Sequence, residues 1–149
     1  KPIPQHRFYL HTKQPQNLIK VSPFPHNCWV GVTVTDGDKL IPALDALDDI
    51  RCLIRYLSVE PLLSKFHVHD LDILLGGTVD WLIIGQQTPV RKATMPKMEW
   101  VEEIIHAADQ MGIPVFLKDN LAPALEVRKP FIGIDDRGNK QYPRQEFPQ

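Results

Sequence analysis

The sequence predicts an α/β fold with a mostly parallel sheet of about five β/α units, either a partial TIM-like barrel or an open doubly wound sheet. Two observations support this prediction. Short apolar runs alternate with amphipathic helical stretches, and the runs are nearly continuous rather than apolar at every second residue. A complete eight-fold barrel needs about 250 residues. The chain has 149 residues and could therefore form only part of one.

Five apolar runs are the predicted strands. They span residues 7–11, 28–34, 54–59, 81–85 and 114–118. β-branched residues recur in several of them, Val34 and Val59 among these, and such residues favour extended backbone. Because strands buried on both faces have unbroken apolar sequences, these segments are predicted to be parallel, with helical crossovers between them.

Two segments have helical periodicity. In residues 97–111, apolar side chains such as Trp100, Ile104 and Ala108 recur at three- or four-residue spacing, and Gly112 suits the C-terminal end of a helix. Residues 39–47 form a shorter amphipathic pattern. Single helical turns are expected at residues 17–21 and 71–75.

Composition divides the chain into a partial β/α barrel domain at residues 1–127 and a polar C-terminal extension at residues 128–149. The extension is rich in proline, glycine and charged residues, which is typical of an extended arm or a loosely packed segment. The sequence begins with Lys1 and soon reaches an apolar run, as a piece of a longer polypeptide would.

The composition excludes several classes of protein. A formal net charge of -1 argues against a generally basic surface for nucleic acid. No apolar run approaches the roughly 20 residues needed to cross a bilayer, and the first residues do not resemble a signal peptide. Cys28 and Cys52 lie in apolar contexts and are expected to be free thiols. We therefore expect a cytoplasmic protein with no membrane partner.

Polar residues at the ends of the predicted strands are the candidate site, because ligands of parallel β/α folds bind there. In chain order the candidates are Lys13, Thr33, Ser58, Glu60, Gln86 and Lys118. Glu60 and Lys118 each follow an apolar stretch, where a charge without a partner is costly. They could pair with each other across the rim of the sheet, or hold the amine or carboxylate of an amino-acid-like ligand.

Two other features have weaker functional interpretations. His67 and His69 alternate along the chain, as ligands on a metal-binding strand do, but they lie in a polar segment where exposed histidines are common. Arg91 and Lys92 could hold a phosphate-bearing substrate, although a solvated basic loop is the favoured interpretation. No nucleotide-binding glycine motif or nucleophile elbow is present.

The segment LSVEPLL at residues 57–63 resembles a hallmark of a phage- and plasmid-associated, radical-SAM-like protein family whose function is not established. Further segments agree in order and spacing: LHTKQP at 10–15, NCWVGVTV at 27–34, VDWLIIG at 79–85 and VFLKD at 115–119. The similarity covers roughly residues 8–121. The chain departs from the family pattern at residues 86–88, where Gly-Glu-Ser is usual, and at residues 119–120, where Gln-Trp is usual.

The resemblance implies a partial β/α barrel with a [4Fe-4S] cluster and S-adenosylmethionine at the C-terminal rim. The cluster cysteines of that family lie in a region N-terminal to this chain. The same resemblance implies that the site is lined by the matching positions, Lys13, Thr33, Ser58, Glu60 and Lys118. The departure at residues 86–88 places an acidic role for position 87 in doubt.

The expected function is therefore the C-terminal half of a radical SAM enzyme, lining the S-adenosylmethionine and substrate site and inactive alone. In such an enzyme the cluster cleaves the cofactor to a 5′-deoxyadenosyl radical that abstracts a hydrogen atom. The expected partners are the missing N-terminal half or another subunit, with a homo-oligomer also possible. Two alternatives stay open: a metal-dependent hydrolase of β/α-barrel type that uses His67, His69 and carboxylates, and a non-catalytic α/β interaction module.

Overall fold

The computed structural model describes residues 5–67, 69, 71, 77–125 and 130–149. The main strands are β1 (Phe8–Thr12), β2 (Cys28–Thr33), β3 (Ile54–Val59), β4 (Trp81–Ile84) and β5 (Val115–Leu117). The helices are α1 (Leu40–Asp48) and α2 (Met98–Met111). Short 3-10 helices span Pro15–Val21, Gly37–Lys39, Lys92–Thr94 and Asp119–Leu121. A small hairpin pairs β6 (Gly133–Ile134) with β7 (Lys140–Gln141). Of the helical turn predicted at residues 71–75, residues 72–75 lie outside the described residues.

The five main strands form one parallel sheet in the order β1-β2-β3-β4-β5. The predicted α/β class and mostly parallel sheet are confirmed. The sheet is not closed into a barrel, which agrees with the open alternative. Each strand is followed in the sheet by the next strand of the chain. All four crossovers therefore step across the sheet in one direction, and right-handed crossovers of this kind place their helices on one face.

The two faces of the sheet are covered by different sets of residues. On one face, residues such as Val30, Leu57 and Leu82 share a buried core with α1 and α2. On the other face, Trp29, Tyr56 and Trp81 form a separate buried cluster, and we call this side of the sheet the aromatic face. Because side chains alternate along a strand, the residues two and four positions after these aromatics lie on the aromatic face too.

Gly31 allows the Tyr56 ring to lie across β2. A Cβ atom at position 31 would overlap that ring. The Tyr56 hydroxyl donates a hydrogen bond to the Leu10 carbonyl of β1 at 3.2 Å. One side chain of β3 thus spans β2 and is held by β1.

The C-terminal segment packs against the other edge of the sheet. Phe131 has no exposed surface, and Gln145 forms an antiparallel bridge with Phe116 of β5. The Leu117 amide donates to the Arg144 carbonyl at 2.7 Å, and the Glu146 amide donates to the Val115 carbonyl at 3.0 Å. Phe131 and residues 144–146 thus pack closely against the sheet and its last strand, whereas residues 136–140 are exposed.

Arg144 joins this segment to α2. Its Nη2 atom lies 2.8 Å from Asp109 Oδ1 and 2.7 Å from Glu146 Oε2. Burial opposes the charged form, but the hydrogen bonds to Glu146 and Asp109 raise the pKa of the Arg144 guanidinium above its ordinary value. The C-terminal segment is therefore fixed by charge as well as by backbone pairing.

Candidate functional site at the strand ends

An ion pair lies at the carboxyl end of the sheet. Glu60 directly follows β3, and Lys118 directly follows β5. Lys118 Nζ lies 2.7 Å from Glu60 Oε1 and 2.9 Å from Oε2. The Glu60 side chain is 26% exposed and the Lys118 side chain is 42% exposed, so a ligand from solvent can reach the pair. The structure thus forms the pair across the rim that the sequence allows.

Gly85 makes this contact possible. Val59 and Ile84 are partners in the β3–β4 ladder, and Ile84 and Leu117 in the β4–β5 ladder. The residues that follow them therefore lie at one level of the sheet. A Cβ atom at position 85 would lie 3.1 Å from the Cδ and Cγ atoms of Glu60. Glu60 reaches across β4 because position 85 has no side chain.

Two hydroxyl side chains lie one level below the ion pair. Thr33 and Ser58 are partners in the β2–β3 ladder, and alternation from Trp29 and Tyr56 places both on the aromatic face. They are only 7% and 8% exposed. Within the described part of the chain, neither hydroxyl has a hydrogen-bond partner. Neither oxygen is among the fully buried side-chain atoms that lack a partner, so both remain open to a ligand from solvent.

Lys13 lies at the end of the neighbouring strand. It follows Thr12, the last residue of β1, and Thr12 is the ladder partner of Val32. Its backbone therefore lies beside Thr33. The side chain is exposed and has no acidic partner among the described residues.

Gln86 is not placed with the other candidates. It shares the alternation of Leu82 and Ile84, which face the helices, and it is 1% exposed. Its Nε2 atom donates to the Asn120 carbonyl, and Asn120 Nδ2 donates to the Gln86 carbonyl at 2.8 Å. Gln86 therefore ties the end of β4 to the end of β5 and does not line the aromatic face. Its Oε1 atom is buried without a partner among the described residues.

Several residues that shape the site are missing from the sequence-based candidates. Gly31 and Gly85 lie within apolar runs, and an isolated glycine in a strand often marks a close approach of neighbouring groups. That signal could have identified both. Gln145 Nε2 donates to Asp119 Oδ1 at 2.7 Å. These two residues are far apart in sequence, and no short sequence motif predicts the contact between them.

The weaker candidates gain little from the structure. No group of three or more histidine, cysteine, aspartate or glutamate residues is placed for a metal ion in the described ranges. His67 and His69 therefore have no third ligand there. Arg91 and Lys92 are exposed in the loop before α2.

A cavity of about 930 Å³ lies at the opposite end of the sheet, lined in part by Asp109, Arg144, Glu146 and Phe147. It contains none of the six candidate residues. Its arginine is already paired with two of its carboxylates. We therefore place the candidate site at the strand ends, where the Thr33 and Ser58 hydroxyls and the partly exposed Glu60–Lys118 ion pair lie together.

The helices that the structure describes include none with the length and apolarity that a bilayer crossing requires.

A family model described as "Protein of unknown function (DUF5131)" matches residues 1–128. The chain belongs to this family. The search of curated proteins and the search of solved structures each returned no match. In this DUF5131 chain, the matched region contains all five main strands and all six candidate residues, whereas the β6–β7 hairpin and the segment that pairs with β5 lie outside it.

Proposed function

We propose that this DUF5131 chain is the C-terminal half of a radical SAM enzyme and lines the S-adenosylmethionine and substrate site. The observation that carries the proposal is the convergence of Thr33, Ser58, Glu60 and Lys118 on one face, at the ends of parallel strands where β/α enzymes bind ligands. The LSVEPLL segment adds support, because its Ser58 and Glu60 both lie there. The association with phages and plasmids belongs to the same proposal.

The residues fit the amino-acid end of S-adenosylmethionine. The Glu60 carboxylate can accept hydrogen bonds from an ammonium group, and the Lys118 ammonium can donate to a carboxylate. Both groups are partly solvated, so a ligand can insert its own charges between them. S-adenosylmethionine supplies radical chemistry when a reduced cluster is also bound. The residues of this chain bind and orient the ligand and limit access of water.

The residues do not fit an iron–sulfur cluster. Such a cluster needs several cysteine thiolates, and the chain has two cysteines. Cys28 is buried at the start of β2, and Cys52 precedes β3, so both lie at the amino ends of the strands, opposite the candidate site. A cluster would have to be held by a missing N-terminal half or by another subunit, and the chain is expected to be inactive alone. A cytoplasmic location is part of the proposal, since both cysteines are free and the cytosol keeps thiols reduced.

Calorimetric titration of the chain with S-adenosylmethionine tests the proposal. We expect binding, and we expect Glu60→Gln to weaken it about tenfold, because a hydrogen bond to a charged group is lost. In protein joined to a cluster-bearing half, the same substitution should reduce turnover.

Glu103→Gln is the matched control. It removes a carboxylate of α2 from another exposed ion pair, in which Lys65 Nζ lies 2.8 Å from Glu103 Oε1. Its affinity for S-adenosylmethionine should equal that of the wild type. If the wild-type chain does not bind S-adenosylmethionine, or if both variants bind equally well, the proposal is wrong.

A non-catalytic interaction module is the second candidate function. The observation that favours it is the exposure of β1, where Phe8, Tyr9 and Leu10 are 42%, 46% and 41% exposed. Exposed apolar side chains on an edge strand favour contact with another chain. Binding of S-adenosylmethionine, or its failure, separates the two candidates.

A further inference from the structure

We propose that Thr33, Ser58 and Lys13 form a subsite for an oxyanion, which takes the carboxylate or phosphate of a substrate with an apolar or aromatic body. The inference rests on the proposed function only in treating the aromatic face as a ligand site. It adds a class of substrate, which neither the family match nor the resemblance provides.

The two hydroxyls have suitable spacing for one oxyanion. Thr33 and Ser58 are ladder partners on neighbouring strands, and neighbouring strands lie about 4.8 Å apart. Two donors at that separation can each reach an oxygen of the same carboxylate or phosphate. Both residues are more than nine-tenths buried, no other described residue bonds either hydroxyl, and neither oxygen is fully closed off from solvent.

The side chains two positions before and after Ser58 of β3 lean sideways across the adjacent strands. Glu60 lies against Gly85 and reaches Lys118 of β5. Tyr56 lies over Gly31 and reaches Leu10 of β1. The space above Ser58 is therefore not filled by the residues two positions before and after it.

The local charge suits an anion. The carboxylate nearest in sequence to Ser58 is that of Glu60, and Lys118 contacts both of its oxygens. Burial raises the pKa of Tyr56 to about 12, so this phenol is neutral near pH 7. Lys13 has no acidic partner among the described residues, and its flexible ammonium group can supply the counter-charge beside Thr33.

The row of ladder partners that begins with Thr33 and Ser58 continues across β4 and β5 with apolar residues. In the ladders, Ser58 is the partner of Ile83, and Ile83 is the partner of Phe116. Ile83 and Phe116 are both only partly buried. A ligand with its oxyanion at Thr33 and Ser58 would therefore lay its body over an aliphatic and an aromatic side chain.

A ¹⁵N NMR titration of the full chain with benzoate, phenyl phosphate and inorganic phosphate tests this subsite. We expect saturable shifts at the amides of Thr33 and Ser58, and also at Phe116 with the two aromatic probes. Thr33→Val and Ser58→Ala should each weaken binding about tenfold. The tighter of benzoate and phenyl phosphate identifies the group that the subsite prefers.

Thr94→Val is the matched control, because Thr94 lies in the 3-10 helix before α2 and its hydroxyl donates only a weak bond to the Arg91 carbonyl at 3.4 Å. Its affinity should equal that of the wild type. If Thr33→Val does not fold, Thr33→Ser keeps the hydroxyl and should retain wild-type affinity, and Ser58→Ala still measures the loss. Equal binding by wild type and Ser58→Ala, or shifts confined to the loop of Arg91 and Lys92, would overturn the subsite.

The outcomes for the two proposals are distinguishable. A chain that binds the aromatic oxyanions through these hydroxyls but does not bind S-adenosylmethionine keeps the subsite and loses the proposed enzyme class. A chain that binds S-adenosylmethionine but none of the three probes loses the subsite alone.

Discussion

Two glycines determine where the side chains of β3 can go. Gly31 leaves room for Tyr56 to cross β2 toward β1, and Gly85 leaves room for Glu60 to cross β4 toward β5. The central strand thus reaches both of its second neighbours, in opposite directions. The hydroxyl of Ser58 lies between these two crossings and remains without a partner among the described residues.

Tyr56 predicts a dependence of stability on alkaline pH. Burial, and to a smaller extent the charge of Tyr9, raises the pKa of Tyr56 from 10.0 to about 12. The unfolded chain therefore loses this proton first, so stability is complete below pH 10 and falls as pH rises toward about 12. Urea unfolding of wild type and Tyr56→Phe across this range should show a steeper decline for the wild type. Parallel declines would contradict the assignment.

The candidate residues show which properties of a strand-end site can be predicted from sequence. Thr33, Ser58, Glu60 and Lys118 share one face because each lies an even number of positions from an aromatic residue of its own strand. Gln86 was predicted with them from its position alone. It lies an even number of positions from Leu82 and Ile84, so alternation directs it toward the helices. Counting alternation as well as position would have separated it.

At the scale of elements, the five main strands and the two helices follow the predicted segments closely. β3 begins and ends as predicted, and the other four strands differ by one residue at one or both ends. The C-terminal segment could not be read in this way. Its buried Phe131 and partly buried Tyr142 are isolated in polar sequence, and its pairing with β5 depends on backbone groups that every sequence has.

Arg144 predicts that charge contributes to the docking of this segment. Arg144→Gln removes the contacts with Asp109 and Glu146, and we expect a loss of about 1 to 3 kcal/mol in the free energy of unfolding. Arg137→Gln is the control, because Arg137 is exposed and such substitutions usually change stability by less than about 0.5 kcal/mol. Urea denaturation measures both. Equal stabilities for the two variants would show that backbone pairing alone holds the segment.

At the scale of the whole molecule, the two edges of the sheet differ. The β5 edge is paired with the C-terminal segment. At the other edge, all five residues of β1 are at least partly exposed, and its apolar residues are accessible. An apolar edge strand whose outer side pairs with no other strand of the described chain favours pairing with another chain. Because only the β1 edge of the described sheet is accessible in this way, we expect another protein chain, or a second copy of this one, to associate through β1.

Self-association of the purified chain is the expected result of this edge. Sedimentation velocity over a range of concentrations should show oligomers, and Leu10→Lys should reduce them because a charge on an edge strand opposes pairing. Leu63→Lys is the control, because Leu63 is 46% exposed and lies in the loop after β3 rather than on β1. A wild-type chain that is monomeric at every concentration would contradict the prediction.

The contact between Trp81 and the C-terminal segment has an optical consequence. The Trp81 indole donates to the Glu146 carbonyl at 2.8 Å, and its ring centroid is 5.2 Å from that of Phe147. Release of the segment would expose this indole to water and shift its fluorescence to longer wavelength. Undocking of the chain terminus could thus be followed by intrinsic emission, with no dye attached.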